Sequence, residues 1–447
     1  MRRIQEPIVV KIESLSEKGE GFAHYTKQNI ENPKDQKDFE VYVFGVLPGE
    51  TVKVKPIKKR RGIIKANLIK VLEASPDRVK PREEHFTSCS PWQILDYPNQ
   101  LKYKKELVVE FFQKRLTTDF DFEDVSVVPS DEIWNYRNKM EFSFETSEDG
   151  QMSLALHKRG SHNQFWSFKE CVIAHQKINE IADVVLAKIN EAGFKFHDLK
   201  NLVVRYSYLE DKVLVMLYVK KEDLQKLKIK HPDIKGFKII FSDPRSPATV
   251  ETKVLQSEGE DFLIEKILDQ KLHYRYNSFF QNNPQSFGKL ASYVRDNLEM
   301  TPERNLLDLY GGVGTFGLLL AGKFKKVLSL EINKGASEIG VQNAEENNIS
   351  NIDFVTSPAE KIDLEKYFEE GDILLIDPPR SGLHPKVTQQ IVESGPQDFI
   401  YISCNPQTQI DDFVELQKSY SIKKWQLFDL YPQTPHVESV MICERKK

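Results

Sequence analysis

The chain has little cysteine and no long apolar run. Its four cysteines, at 89, 171, 404 and 443, are scattered through 447 residues without a CxxC pair. That spacing excludes a disulfide framework and argues against a zinc ribbon, so each cysteine reads first as a small buried hydrophobe. The longest uncharged stretch near mid-chain, Leu309 to Gly322, has 14 residues and several glycines. A bilayer span needs about 20 apolar residues, so no membrane role is expected. The opening MRRIQEPIVVKIESL has only three apolar residues in a row after Pro7. No secretory signal is expected there, and the expected location is the cytoplasm. Internal repeats and low-complexity segments are also missing.

What is present is an ordinary globular composition, 29% charged and 40% hydrophobic, long enough for two to four domains. The formal charge of −4 is unevenly spread. Residues 1–72 carry 15 Lys+Arg against 9 Asp+Glu, whereas the rest carry 48 against 58. Within the basic part, Lys53, Lys55, Lys58, Lys59, Arg60, Arg61 and Lys65 fall within 13 residues, with no acid among them. Such a run repels itself unless a polyanion screens it, which points to nucleic acid.

Three parts follow from the patterning. Residues 1–72 alternate short β-rich runs with glycine turns, as in a small antiparallel barrel. Residues 73–272 mix elements into an α+β region. There LKYKKELVVEFFQKRL (101–116) predicts an amphipathic helix that docks on the C-terminal part, and DKVLVMLYVK (211–220) a buried strand. Residues 273–447 repeat strand and helix: LLDLY, KVLSLE, IDFVT, DILLID and FIYISC are short apolar strands. The fold class is therefore α/β, with a doubly wound, mostly parallel C-terminal sheet.

The chemistry lies in this last part. LLDLYGGVGTFG (306–317) sets a glycine loop between a strand and a helix, where the backbone approaches a ligand closely. Glu331 ends the next strand, and its carboxylate can accept ribose hydroxyls from a dinucleotide or from S-adenosylmethionine. In DILLIDPPRSGLH, Asp377 ends a strand and two prolines stiffen the loop. Amino-methyltransferases place an aromatic after those prolines, but this chain has Arg380. In FIYISCNPQT, Cys404 closes a strand at the crevice mouth, where a thiolate serves as a nucleophile. Glu438 follows in TPHVESVMICER, beside His436. Thiolate, carboxylate and methyl-donor loop together suit methylation of a pyrimidine at C5. Addition of the thiolate to C6 gives C5 the electron density it otherwise lacks.

The set SFFQNN (278–283), DLYGGVGTFG, IDPPRSG, ISCNPQT and PHVESV resembles the RNA (uracil-5-)-methyltransferase family, and within it the 23S rRNA branch. Residues 1–72 are similar to a TRAM domain, an OB-like RNA-binding barrel. The resemblance implies a Rossmann-like S-adenosylmethionine domain, with Cys404 as nucleophile and Glu438 as general base. It implies that Gln281, Tyr310, Thr315, Glu331 and Asp377 line the S-adenosylmethionine site. Asp377, Arg380 and Phe279 or Phe280 would meet the extruded uracil. RNA is the implied partner, 23S rRNA first and the tRNA T-loop second; no protein partner is implied.

Two departures stand out. Many members hold an iron–sulfur cluster on four cysteines, yet in PREEHFTSCSPWQILDY (81–97) the first position is Glu83. Only Cys89 and Cys171 remain, so no cluster and no other metal is expected, and Trp92 and its neighbours are expected to fill the space. At Ser357-Pro358 relatives offer a polar side chain toward the adenine, which leaves the backbone for that contact. Among rivals, radical S-adenosylmethionine enzymes need a CxxxCxxC that is missing, and a dehydrogenase has no use for Cys404 opposite Glu438. A non-catalytic RNA-binding protein would tolerate loss of Cys404.

Overall fold

The computed structural model describes residues 6–16, 18–27, 37–147, 150–161, 163–246, 248–298, 301–367 and 372–446. In the N-terminal part, six strands lie in the order Ile8–Lys11, Thr51–Arg60, Ile63–Glu73, Lys37–Val43, Gly21–Lys27, Ser14–Leu15. The first and last of these belong to one continuous run. Ile12 N–H donates to Glu50 O (2.8 Å) on one side, and Glu13 N–H to Phe22 O (2.8 Å) on the other. The sheet thus closes on itself. One neighbour pair, Lys37–Val43 with Ile63–Glu73, is parallel, so the barrel is not purely antiparallel as its short runs suggested.

Thr51–Arg60 shows why this sequence makes a barrel strand. Val52, Val54 and Pro56 point inward while Lys53 and Lys55 face solvent, the two-residue period of a half-buried strand. Arg61 and Gly62 then turn with φ of 48° and 81°, a two-residue hairpin loop with both residues left-handed. Lys58, Lys59, Arg60 and Arg61 are exposed near that tip. Lys65 does not join them: its Nζ lies 2.7 Å from the buried Glu20 carboxylate.

The middle part carries a seven-stranded sheet covered by the helix Gln176–Glu191, which buries Ile178, Ile181, Ala182, Val185 and Ile189 against it. Lys212–Val219 is the buried strand expected there. The boundary drawn at 272/273 falls inside the strand Gln270–Arg275. This strand and its hairpin partner Phe262–Ile267 share a core with the C-terminal part through Leu263, Leu272 and Tyr274. Asn343 fixes the join, accepting from His273 N–H (2.7 Å) and donating to His273 O (3.1 Å).

The C-terminal sheet is built from β1 (Thr301–Leu309), β2 (Phe324–Glu331), β3 (Ile352–Thr356), β4 (Ile373–Ile376), β5 (Asp398–Ser403), β6 (Tyr420–Phe428) and β7 (Glu438–Arg445). Their order is β3-β2-β1-β4-β5-β7-β6, extended at the β6 edge by Val127–Val128. β1 to β5 are parallel, and β7 runs antiparallel between β5 and β6. Chain order reverses between β1 and β4, the crevice where open α/β sheets bind ligands.

The helix Tyr97–Arg115 docks on this sheet. It starts at Asp96, whose side chain accepts from Asn99 N–H (3.0 Å), and it buries Gln100, Lys104, Val108 and Phe112 at four-residue spacing. Half of that inward stripe is polar because it meets polar partners. Lys104 Nζ pairs with Asp429 at 2.6 Å, with both side chains fully buried, and also donates to Tyr431 O (3.1 Å). Gln100 and Gln433 exchange two hydrogen bonds of 2.8 Å. Removing one partner of a buried ion pair strands the other charge, typically at about 3–5 kcal/mol. Lys104→Ala should lose about that much in urea denaturation, whereas Ala at the exposed Lys102 should lose little.

Candidate active site

Three loops meet at the C-terminal ends of the parallel strands. The loop after β1 begins with Tyr310, whose φ of 66° is rare for a bulky side chain. Gly311 follows because nothing larger fits: a Cβ there would lie 2.0 Å from Ser329 Oγ and 2.9 Å from Asp308 Oδ2. Buried Asp308 supports the loop from below, accepting from Gly317 N–H (3.2 Å) and Ser329 Oγ (3.0 Å). Glu331, at the end of β2, accepts from Gly312 N–H (3.0 Å) and Asn333 N–H (2.7 Å). It is therefore held in place beside the loop, with lone pairs to spare. A Cβ at Gly312 would meet no atom within 4 Å, so the loop borders open space. Thr315 opens the short helix behind the loop, and Gln281 is half-buried just ahead of the helix Pro284–Asp296.

The reacting groups come from β4, β5 and β7. Asp377 follows β4 directly, and among the described residues its carboxylate receives no hydrogen bond. Burial, and then the charge of Asp308, push its pKa up to about 7. Cys404 follows β5, one step past the Ser403–Ser439 pair of the β5–β7 ladder, which sets it against Glu438 on the same face. Glu438 is 5% exposed, and none of the described residues gives its carboxylate a hydrogen bond. Burial first, and Asp377 second, raise it to about 8, with Arg380 opposing. Burial and Glu438 likewise raise the Cys404 thiol to about 11, while the Arg380 guanidinium beside it favours the thiolate.

Arg380 ties the site together. Its carbonyl accepts from Asn405 Nδ2 (3.0 Å) and Thr408 Oγ1 (3.3 Å), so the loop after Asp377 is fixed to the loop after Cys404. Asn405 thereby gives up the side-chain cap it could make to its own helix. Arg380 Nη2 donates to His436 Nδ1 at 3.1 Å. Burial and then Arg380 hold His436 down at about 3, so its ring is a neutral acceptor at physiological pH. A thiol facing a carboxylate that no described residue hydrogen-bonds, with the charge of Arg380 acting on both, can add to an electrophilic carbon and then remove a proton.

The family model described as tRNA (Uracil-5-)-methyltransferase matches residues 96–446. The chain belongs to this family. It is 30% identical to an RNA methyltransferase of Caldanaerobacter subterraneus, over 98% of this chain and 99% of that one. An RNA methyltransferase of Thermotoga maritima is also 30% identical, over 97% and 98%. A crystal structure of the Pyrococcus abyssi tRNA (uracil-54, C5)-methyltransferase with S-adenosyl-L-homocysteine shares the fold. Its TM-score is 0.75 at 24% identity, covering 98% of this chain and 100% of that one. The chain is thus an enzyme, an RNA (uracil-5-)-methyltransferase. No helix among the described residues is long and apolar enough to cross a membrane.

Two phenylalanines of this methyltransferase must be separated. Phe280 is 4% exposed and stacks on Tyr274, with ring centroids 4.1 Å apart and planes 8° apart, so it belongs to the core and not to the site. Phe279 is 71% exposed, with its ring open to a base. Ser357 is held by its own N–H to Glu331 O (3.0 Å), and its hydroxyl turns to Pro358 O (3.3 Å). The four-cysteine cluster does not fit this chain, since the pocket of Cys89 and Cys171 is completed by Glu83 and His85. Of Trp92 and its neighbours, Ser90 Oγ lies 3.0 Å from Cys89 Sγ and Gln93 Nε2 donates to Glu83 Oε1 (2.8 Å). Trp92 packs at the approach of Gly19 to Pro435, where a Cβ on Gly19 would lie 2.7 Å from Trp92 Nε1 and 2.8 Å from Pro435 Cβ.

Proposed function

We propose that this methyltransferase modifies C5 of one uridine in 23S rRNA through a covalent bond between Cys404 and C6. The observation that carries this reading is Cys404 set across the β5–β7 ladder from a buried Glu438 that none of the described residues hydrogen-bonds. Gln281, Tyr310, Thr315, Glu331 and Asp377 would hold S-adenosylmethionine, a donor that supplies an electrophilic sulfonium methyl for C5 to attack. Cys404 Sγ bonds to C6, and the C5–C6 π pair moves to C5 and on to O4. C5 takes the methyl as the sulfonium S–CH3 bond breaks and S-adenosylhomocysteine leaves with that electron pair; Glu438 then takes the C5 proton. The returning pair rebuilds the C5–C6 double bond and expels the thiolate. Asp377, whose carboxylate receives no hydrogen bond from the described residues, would meet the uracil edge, and Phe279 would stack on the extruded base.

The closed barrel reads as a TRAM-like RNA-binding domain, and Lys58, Lys59, Arg60 and Arg61 at its hairpin tip suit phosphate contacts. The barrel by itself does not separate rRNA from tRNA, because the Pyrococcus abyssi tRNA enzyme matches this chain over 98% of its length. A tRNA uridine is therefore the second reading. Cytoplasmic location goes with either substrate. The deciding experiment maps 5-methyluridine by mass in RNA from cells with and without the gene, then restores it with purified protein. A methyl lost from 23S rRNA and restored supports the first reading; one lost from tRNA supports the second. Phe279→Ala should weaken RNA binding by about 1–3 kcal/mol, the worth of one base–aromatic stack, measured as a rise in Kd without loss of donor binding.

A further inference from the structure

Outside the active site, one cluster of side chains has no role in methyl transfer. Glu83, His85, Cys89 and Cys171 each bring one donor atom to a common point, and all four atoms lie within 4.8 Å of one another. Three come from the segment that leaves the barrel, and the fourth from the loop ahead of the helix Gln176–Glu191. Both cysteines are free thiols. His85 is 4% exposed, and its Nε2 is buried without a hydrogen-bond partner, although Glu83 Oε2 lies 3.2 Å away. An orphaned imidazole nitrogen aimed at two sulfurs and a carboxylate is costly unless a further atom satisfies it.

The supporting contacts are those of a built site. Glu83 Oε1 accepts from Gln93 Nε2 (2.8 Å), and its Oε2 accepts from Val172 N–H (2.9 Å). The His85 ring stacks on Phe168 at 4.3 Å. Cys171 is held by reciprocal hydrogen bonds with Asn179, of 3.1 and 3.2 Å. Partners of this kind orient metal ligands and fix their geometry.

We propose that Glu83, His85, Cys89 and Cys171 bind one zinc ion as a closed structural site. Two thiolates, an imidazole and a carboxylate make a four-donor set of the borderline softness zinc takes. Tetrahedral bond lengths of about 2.0–2.3 Å imply ligand separations of about 3.3–3.8 Å, so the donors need only draw together slightly. With four protein ligands, no position is left for substrate. The ion would tie the segment leaving the barrel to the middle part. Residues beside Cys171 pair in turn with residues 135–137, and Tyr136 donates to Pro432 O (3.0 Å) ahead of Glu438. The proposal does not rest on the RNA target or on the catalytic reading.

The test is metal analysis of the full chain, purified under reducing conditions without an immobilised-metal step. About one zinc per chain is expected, falling at least tenfold in Cys171→Ser and in His85→Gln but retained in Cys443→Ser. Replacement by cobalt should give the visible bands of a tetrahedral site with thiolate charge transfer, a readout that needs no variant to fold. Metal-free protein with four titratable thiols overturns the proposal. So does metal-free protein with two, which would mean a Cys89–Cys171 disulfide. Iron with acid-labile sulfide overturns it as well.

Discussion

Cys404→Ala should abolish methylation, by about 10⁴–10⁶-fold, and should no longer form a denaturation-resistant adduct with RNA carrying 5-fluorouridine. The expectation follows from the chemistry of uracil, whose C5 attacks a methyl only after a nucleophile has added at C6. With fluorine at C5 there is no proton to remove, so wild-type enzyme stays attached and migrates with the RNA on a denaturing gel. Donor binding should survive the substitution, because Cys404 lies at β5 whereas the glycine loop and Glu331 lie at β1 and β2. An active enzyme that gives no adduct would sink the covalent mechanism. Retained methylation in Cys404→Ala would mean that Cys404 is not the nucleophile.

The wild-type pH profile should carry the signature of the same pair. The thiol is held up at about 11 in the resting site, by burial and by Glu438, and Glu438 itself at about 8. Both act as catalysts in their deprotonated forms. The rate should therefore climb steeply with pH up to about 8, where Glu438 loses its proton, and less steeply above it until the thiol ionises near 11.

The parts of this site that could be read from the sequence are the ones whose signals are local. Asp377 and Cys404 each close a short apolar run, and the C-terminal end of a strand in an alternating α/β pattern falls on the ligand edge of the sheet; Glu438 opens its strand and reaches the same edge because β7 runs antiparallel. The Phe279–Phe280 pair left both residues open, because SFFQNN has no period to say which ring turns inward; only packing on Tyr274 decides it. Lys104 and Gln100 look like solvent-facing residues of an amphipathic helix. Their partners, Asp429 and Gln433, are more than 300 residues away in sequence, so nothing local marks them as buried. Glu83 and His85 were hidden for a similar reason. Searching for a missing cysteine counts thiolates, whereas the fold places a carboxylate and an imidazole beside the two that remain. The parallel strand pair that closes the barrel is likewise a long-range pairing that no short run encodes.

Glu438→Gln should separate the steps that Cys404→Ala removes together. The amide keeps the shape but cannot take the C5 proton, so addition and methyl transfer proceed while release stalls by about 10²–10⁴-fold. Methylated RNA should then accumulate covalently attached to the variant, even with ordinary uridine. Loss of the carboxylate also removes a charge that raises the Cys404 thiol, so alkylation of Cys404 should begin at lower pH than in wild type. Stability offers an independent check that the variant is folded. In the native state Glu438 keeps its proton up to about 8, whereas in the unfolded chain it ionises near its ordinary value of 4.5. The native state thus binds more protons between those values, and the stability this group contributes falls as pH rises through that window. Glutamine cannot ionise, so relative to wild type the variant should gain a few kcal/mol at pH 8 over its value at pH 4. Rapid product release by a stable Glu438→Gln enzyme would assign the proton to another group, and Asp377, the neighbouring carboxylate that raises Glu438, would be the next to replace.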